Sequence, residues 1–466
     1  MLSTGAFERR LATTGTFGLV AAFVFLAMLG YWQVVRTDLA DEEWNPRVLS
    51  EYYDPLRGRI LDREGNVLAE SYSGGVRRYP DASVAHVVGY LDPRYGSQGV
   101  ELAYNEVLAG REVSGWLGAF RSEFDRQRRR GNDVQLSIDP QAQAAAADAL
   151  GARNGAVVAL DPRTGEVLAM VSVPTYDPGN LGTFGEELLA DPNAPLLNRA
   201  TQGQYPPGST FKTVSAIAAL GTGLMTPDTI VECPGEIVID GFPISCRNTS
   251  QGVGTYPFKH AYTFSVNAIF AQVGVALGWT TMAEQSAALG IGHEIAFSLA
   301  TAPGQLHAPD SELDDVLLAS TAFGQGELLA TPLQMAAIAA TVANGGQLVL
   351  PRVALAELSD GEVLRELEPA VTKRVLDEGL AATMVDFMVS VVQAGQASGL
   401  NIPGVQVAGK TGTAEAGDGT SHAWFIGFAP ADDPQIAIAV VVERGGQGGV
   451  VAAPIAGEVI RAVLSE

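Results

Sequence analysis

Hydrophobic positions along the chain fall into three regimes. From Thr14 to Val35 no charged residue occurs, and the middle of that stretch reads FGLVAAFVFLAMLGYW. A helix over these 22 positions would be roughly 33 Å long, enough to cross a bilayer core of about 30 Å. From Glu51 to about Arg130 charge and turn residues break the pattern. There DPLRGRILDREGNVLAE alternates like a hairpin with Gly65 at its tip, and RSEFDRQRRRGND reads as a solvated linker or surface strand. The chain then becomes more apolar. GAVVALDPRTGEVLAMVS predicts two β runs joined by a turn, and IAIAVVV (Ile436 to Val442) is too short to span and predicts a buried strand. QAQAAAADAL and TPLQMAAIAATVANGG predict helices, the second opened by a Thr-Pro cap and stopped at Gly345. The organisation expected is a short tail (1–13), a spanning helix (14–35), a β-rich domain (36–130) and a larger domain (131–466).

Charge sets the orientation. Arg9 and Arg10 precede the apolar stretch, whereas Asp38, Asp41, Glu42 and Glu43 crowd its far side around one Arg36. The positive-inside rule places the first dozen residues in the cytoplasm and everything after Arg36 outside. No A-x-A site ends the apolar run, so the stretch reads as an uncleaved, single-pass anchor in the plasma membrane. Over the whole chain 52 acidic residues face 29 basic ones, a net charge of −23. Such a chain repels phosphates, which argues against nucleic-acid binding.

There are 2 cysteines, Cys233 and Cys246, in ECPGEIVIDGFPISC, and 5 scattered histidines. Neither set has metal-site spacing, so no metal is expected. Outside the cytoplasm the two cysteines could close a hairpin as a disulfide; the alternative is two unpaired small apolar residues.

The candidate chemistry begins at YPPGSTFKTV, where a Pro-Pro-Gly break precedes Ser209 and Lys212. On a helix starting at Ser209, spacing i, i+3 places both side chains on one face. A neutral lysine there could take the serine proton and make it a nucleophile, provided burial or a second cation keeps it neutral. S-x-x-K alone is a weak signal. TFSVNAIF adds Ser265 and Asn267 in a run that looks helical, and VAGKTGTAEAG adds Lys410, Thr411, Gly412 and Thr413 at the end of a strand pattern. Each has a bland reading, but all three in this order are far rarer than any one. Trp424 and His422 read as core or strand-edge residues. RGGQGG (Arg444 to Gly449) reads as a turn, and Glu415 as a strand residue with a cleft role as its alternative.

The set SxxK, SxN, KTG resembles the penicillin-recognising serine acyltransferases. PLLNRATQGQYPPGSTFK, AFGQGELLATPLQMA, VAGKTGTAE and SHAWFIGFAP narrow the resemblance to class B penicillin-binding proteins, which are peptidoglycan D,D-transpeptidases. RGRILDREGNVLAES and HVVGYLDPRYGSQGVELAYNEVLAG extend it through the N-terminal part, and the chain resembles the compact members of the class. The middle triplet is Ser-Val-Asn, a normal variation among class B members.

The resemblance implies an α+β fold: an antiparallel sheet flanked by helices plus a helical lobe, preceded by a β-rich pedestal domain and one transmembrane helix. It implies that Ser209 attacks the carbonyl of a D-Ala-D-Ala stem peptide and that Lys212 is the base, kept neutral partly by Lys410. Ser265 relays a proton, Asn267 holds the substrate amide, and Lys410, Thr411, Gly412 and Thr413 meet the substrate carboxylate. The backbone N–H groups of Ser209 and Thr413 form the oxyanion hole. β-Lactams are expected as ligands, a separate membrane glycan polymerase as a partner, and no cofactor. A D,D-carboxypeptidase, a β-lactamase of the same fold and a non-catalytic scaffold of wall synthesis stand as alternatives. No E-x-x-L-N string follows Ser265, which counts against a class A β-lactamase.

Overall fold

The computed structural model describes residues 4–31, 57–72, 75–110, 130–367 and 372–465. The basic run before Arg130 and the end of the apolar stretch, Trp32 to Val35, lie outside them. The first helix is Thr4–Gly30, so it begins before the apolar stretch and runs through Glu8, Arg9 and Arg10. Phe17, Leu19, Phe23 and Leu26 on it are more than half exposed. Among the described residues no helix is long and apolar enough to cross a membrane.

Two sheets organise the rest. A five-stranded antiparallel sheet runs in the order Ala408–Glu415, Ser421–Ala429, Ile436–Val442, Gly155–Leu160, Val167–Val173. Its central strand, Ile436–Val442, is buried at every residue, so both faces of the sheet are covered there. The helix Pro332–Ala343 packs on it, as do Pro140–Leu150 and Ala452–Leu464, which pack on each other. Thr331 caps Pro332–Ala343 in a full capping box with Gln334, as the Thr-Pro signal predicts. A helical lobe stands beside the sheet. In it Lys212–Gly221 and Asp315–Ala322 pack on Asn267–Ala288. The helix Glu378–Ala394 touches both Lys212–Gly221 and the edge strand Ala408–Glu415, coupling the lobes.

The second sheet has six strands in the order Glu362–Glu366, Ala354–Ser359, Asp133–Leu136, Ile60–Leu61, Val67–Ser71, Arg77–Arg78. The Ile60–Leu61/Val67–Ser71 pair is the hairpin read from alternation, with Gly65 at φ 88 in its turn. Asp133–Leu136 pairs in parallel with Ile60–Leu61 on one side and antiparallel with Ala354–Ser359 on the other. The composition change near residue 131 therefore precedes a strand that belongs to both parts. Glu166 adds a clamp, accepting from Arg63 at 2.9 Å and from Arg352 at 2.6 Å. Beneath the sheet Glu101 is fully buried between Arg57 (2.8 Å) and Arg77 (2.6 Å).

Cys233 and Cys246 are bonded, with Cα atoms 6.0 Å apart. They bracket the hairpin Glu236–Ile239/Phe242–Ser245, the loop that cysteine spacing suggested.

Candidate active site

The turn carrying Ser209 is tighter than a helix start. Gly208–Phe211 is a 3₁₀ turn, and the α-helix begins on Lys212 rather than on Ser209. In a 3₁₀ turn residues i and i+3 eclipse one another, so Lys212 Nζ comes to 3.1 Å from Ser209 Oγ. Gly208 makes the entry possible. Its φ is +55°, and a Cβ there would meet the Thr413 carbonyl at 3.0 Å. Its N–H donates to Gly324 O at 2.8 Å. Gly412 on the facing strand is needed for a second close approach, since a Cβ would sit 2.8 Å from Pro207 O.

Ser265 does not lie in a helix. It sits at φ +60° between Phe258–Thr263 and Asn267–Ala288, in the left-handed region that costs a residue with a side chain on the order of 1 kcal/mol. That conformation brings its hydroxyl between two buried lysines, 3.1 Å from Lys212 Nζ and 3.0 Å from Lys410 Nζ.

Lys212 is fully buried and has four polar neighbours. It donates to Ser265 O at 2.8 Å and to Asn267 Oδ1 at 2.6 Å, and neither of these can donate back. Those two bonds use both hydrogens of a neutral amine. That leaves the lone pair to the two hydroxyls, Ser209 Oγ and Ser265 Oγ, each 3.1 Å away. Burial first, and the Lys410 charge second, hold Lys212 well below the usual lysine range. Burial alone lowers Lys410 to about 7. Lys410 also donates to Thr411 O at 3.1 Å. The faces of Phe270 and Tyr262 lie 5.5 and 5.7 Å from the two ammonium positions.

The strand Ala408–Glu415 carries Lys410 to Thr413 along the edge of its sheet, paired only with Ser421–Ala429 in the five-stranded order. Lys410 and Thr411 are buried, and Thr413 is exposed. Thr411 Oγ1 donates to Gln396 Oε1 at 3.2 Å. Thr413 and Glu415 share the exposed side of the strand. Trp424 is fully buried and donates from Nε1 to Pro206 O at 3.0 Å, so it pins the proline pair. His422 stacks edge-on against Tyr205.

Three supporting groups escape a reading of the sequence. Glu443 accepts from both Tyr205 (2.8 Å) and Arg199 (2.8 Å), bracing the turn from behind. Asn248 donates to Ser265 O at 2.7 Å. Tyr262 shares a 3.0 Å hydrogen bond with Thr213 next to Lys212. The separation is 17 residues for Asn248 and Ser265 and 238 for Tyr205 and Glu443, and no local motif marks these groups.

This geometry suits acyl transfer to a serine with a lysine as base. The family described as the penicillin-binding protein transpeptidase domain matches residues 155–461, and the penicillin-binding protein A dimerisation domain matches 57–134. The chain belongs to the class B penicillin-binding proteins. It is similar to the peptidoglycan D,D-transpeptidase PbpA of Mycolicibacterium smegmatis, 36% identical over 96% of this chain and 97% of that one. The D,D-transpeptidase MrdA of Acinetobacter baumannii is 32% identical over 80% of this chain and 64% of its own. Among solved structures, penicillin-binding protein A of M. tuberculosis as its ceftriaxone acyl-enzyme superposes with TM-score 0.80 at 34% identity, covering 89% of this chain and all of that one. The transpeptidase domain from Eggerthella lenta gives 0.78 at 33%, covering 88% of this chain and 98% of that one.

Proposed function

We propose that this chain is a peptidoglycan D,D-transpeptidase and a target of β-lactams, and that Ser209 is the residue acylated. The observation that carries the assignment of roles is the 3.1 Å approach of Lys212 Nζ to Ser209 Oγ, with both hydrogens of the neutral amine engaged elsewhere. Ser209 Oγ attacks the carbonyl between the two D-Ala residues of a stem peptide, and its proton passes to Lys212. The oxyanion is met by the backbone N–H groups of Ser209 and Thr413, each worth about 3 kcal/mol in such sites. Ser265 carries the proton from Lys212 to the leaving amine, and terminal D-Ala departs. Lys410, Thr411, Gly412 and Thr413 receive the substrate carboxylate, and Asn267 the substrate amide. An amine of a neighbouring stem peptide then attacks the ester, returning the proton to Ser209.

The apolar stretch 14–35 anchors the protein, with the tail 1–13 in the cytoplasm and the active site outside. Support comes from the charge asymmetry around the stretch and the exposed apolar residues of Thr4–Gly30. The bridge between Cys233 and Cys246 fits an oxidising compartment. A separate membrane polymerase supplies the glycan strands, docked through the anchor and the 36–130 domain. Purified protein with lipid-linked disaccharide should make no glycan alone and crosslink strands once a polymerase is added. Mass spectrometry after penicillin treatment should show one stable adduct on Ser209. Rapid drug turnover would reassign the chain as a β-lactamase, and release of D-Ala to water without crosslinks would make it a carboxypeptidase.

A further inference from the structure

We propose that Asn248 is a positioning residue for acylation, its carboxamide holding the Ser265–Val266–Asn267 turn, and that the Cys233–Cys246 bridge keeps the carboxamide in place. The inference rests on the reading of Ser209 as the acylated serine.

Asn248 grips the triplet at both ends. Its Nδ2 donates to Ser265 O at 2.7 Å, and its Oδ1 accepts from the Asn267 N–H at 3.0 Å. The second bond meets a need of the fold. The helix Asn267–Ala288 starts after Val266, which cannot cap it, and Asn248 supplies the missing acceptor from another segment. The first bond bears on chemistry. Ser265 O takes two donors, Lys212 and Asn248, so both its lone pairs are used. Ser265 is held at φ +60°, and in that conformation its hydroxyl lies between the two lysines. With Asn248 removed, Lys212 alone holds the carbonyl. The turn can then relax toward commoner angles and take the hydroxyl with it.

The bridge fixes the other end of this grip. Asn248 ends the short 3₁₀ turn Cys246–Asn248 on an exposed loop. Cys246 is fully buried, and its N–H donates to Gly235 O at 3.0 Å. Cys233 ends a strand paired with Gly254–Pro257, which runs directly into the helix Phe258–Thr263 before Ser265. The disulfide thus ties the turn that carries Asn248 to the strand pair that leads into the turn it holds.

The test uses the full chain in detergent and a fluorescent penicillin, with the acylation rate constant and the noncovalent affinity measured separately. Asn248→Ala loses both bonds and should slow acylation about tenfold, the scale of the one to Ser265 O that bears on chemistry, with drug affinity held within about twofold. Asn248→Asp keeps the acceptor for Asn267 N–H but loses the donor to Ser265 O. It should melt like the parent and still acylate slowly. Replacing both cysteines by serine should slow acylation about three- to tenfold, and should add nothing in the Asn248→Ala background. Parent-like acylation by Asn248→Ala, recovery in Asn248→Asp, or additive losses from the bridge and Asn248 would each overturn the inference. A parent chain that takes up no penicillin would instead overturn the reading of Ser209.

Discussion

Two clusters of buried charge treat desolvation in opposite ways. In the N-terminal part, Glu101 lies between Arg57 and Arg77, and every charge has a partner. Arg57 also donates to Asn105 Oδ1 and Glu101 O, and Arg77 to Gly58 O. Burial opposes ionisation of Glu101, but the two guanidinium groups outweigh it, and its carboxyl falls below the ordinary range. In the cleft, Lys212 and Lys410 are equally buried, and their hydrogen bonds go to hydroxyl, carbonyl and amide oxygens. There burial wins and both lysines are pushed toward the neutral amine. The paired cluster holds structure. The other, with no carboxylate partner among the described residues, holds two lysines back from full charge at the expense of stability.

The comparison breaks first on catalysis. Ser209→Ala should give no penicillin adduct, and Lys212→Ala should slow acylation about a thousandfold, as loss of a positioned base does. Adduct mass and stopped-flow fluorescence measure both. A Lys212→Ala enzyme within tenfold of the parent would mean that another group takes the proton.

The next effect falls on the other cluster. Glu101→Gln leaves two buried guanidinium groups facing a neutral amide and should cost about 3–5 kcal/mol of unfolding free energy. Chemical denaturation reads it directly. Acylation by the fraction still folded should change less than about twofold, because the cluster touches no catalytic group. A large catalytic loss in folded Glu101→Gln would show that the two clusters are coupled.

The two clusters also differ in what the sequence reveals. Ser209, Lys212, Ser265, Asn267 and Lys410 are legible because the chemistry needs fixed short spacings, and three such spacings in order seldom coincide. The positive φ of Ser265 is not legible, since nothing marks a serine for the left-handed region. Nor is the start of the α-helix on Lys212 rather than Ser209, which depends on Gly208 meeting Gly324 and Thr413 across the fold. The hairpin at Gly65 is visible in local alternation. The six-stranded sheet is not, because Ala354–Ser359 reaches Asp133–Leu136 from more than 200 residues away. The Glu101 cluster is invisible for the same reason, since its arginines look like any surface charge until the core closes over them.

A smaller effect has the opposite sign to Glu101→Gln. Lys410→Met keeps the length of the side chain and removes an amine that burial disfavours when charged. It should raise stability near neutral pH by about 1–3 kcal/mol while lowering acylation, the trade expected of a functional buried charge. Loss of stability in Lys410→Met would place the lysine with the paired cluster instead.

The smallest prediction separates the clusters by pH. Lys410 has a folded value of about 7 against an ordinary 10.5. Below pH 7 it is charged whether the chain is folded or not, and the folded state bears the full penalty of burying it. Between 7 and 10.5 the folded site has released its proton while the unfolded chain still holds one. Unfolding then takes up a proton, and stability must rise with pH. Between pH 7 and 8 the gain is about 1 kcal/mol for a single site of this kind. Glu101 behaves the other way, since its stabilisation is complete above the ordinary carboxylate range and is lost only as pH falls through its depressed folded value. Urea unfolding of the parent and of Lys410→Met at pH 7 and 8 isolates the lysine: the advantage of the methionine variant should shrink by that amount as pH rises. An advantage that stays constant over this interval would mean that Lys410 keeps its proton when buried, and that the cleft holds a permanent cation.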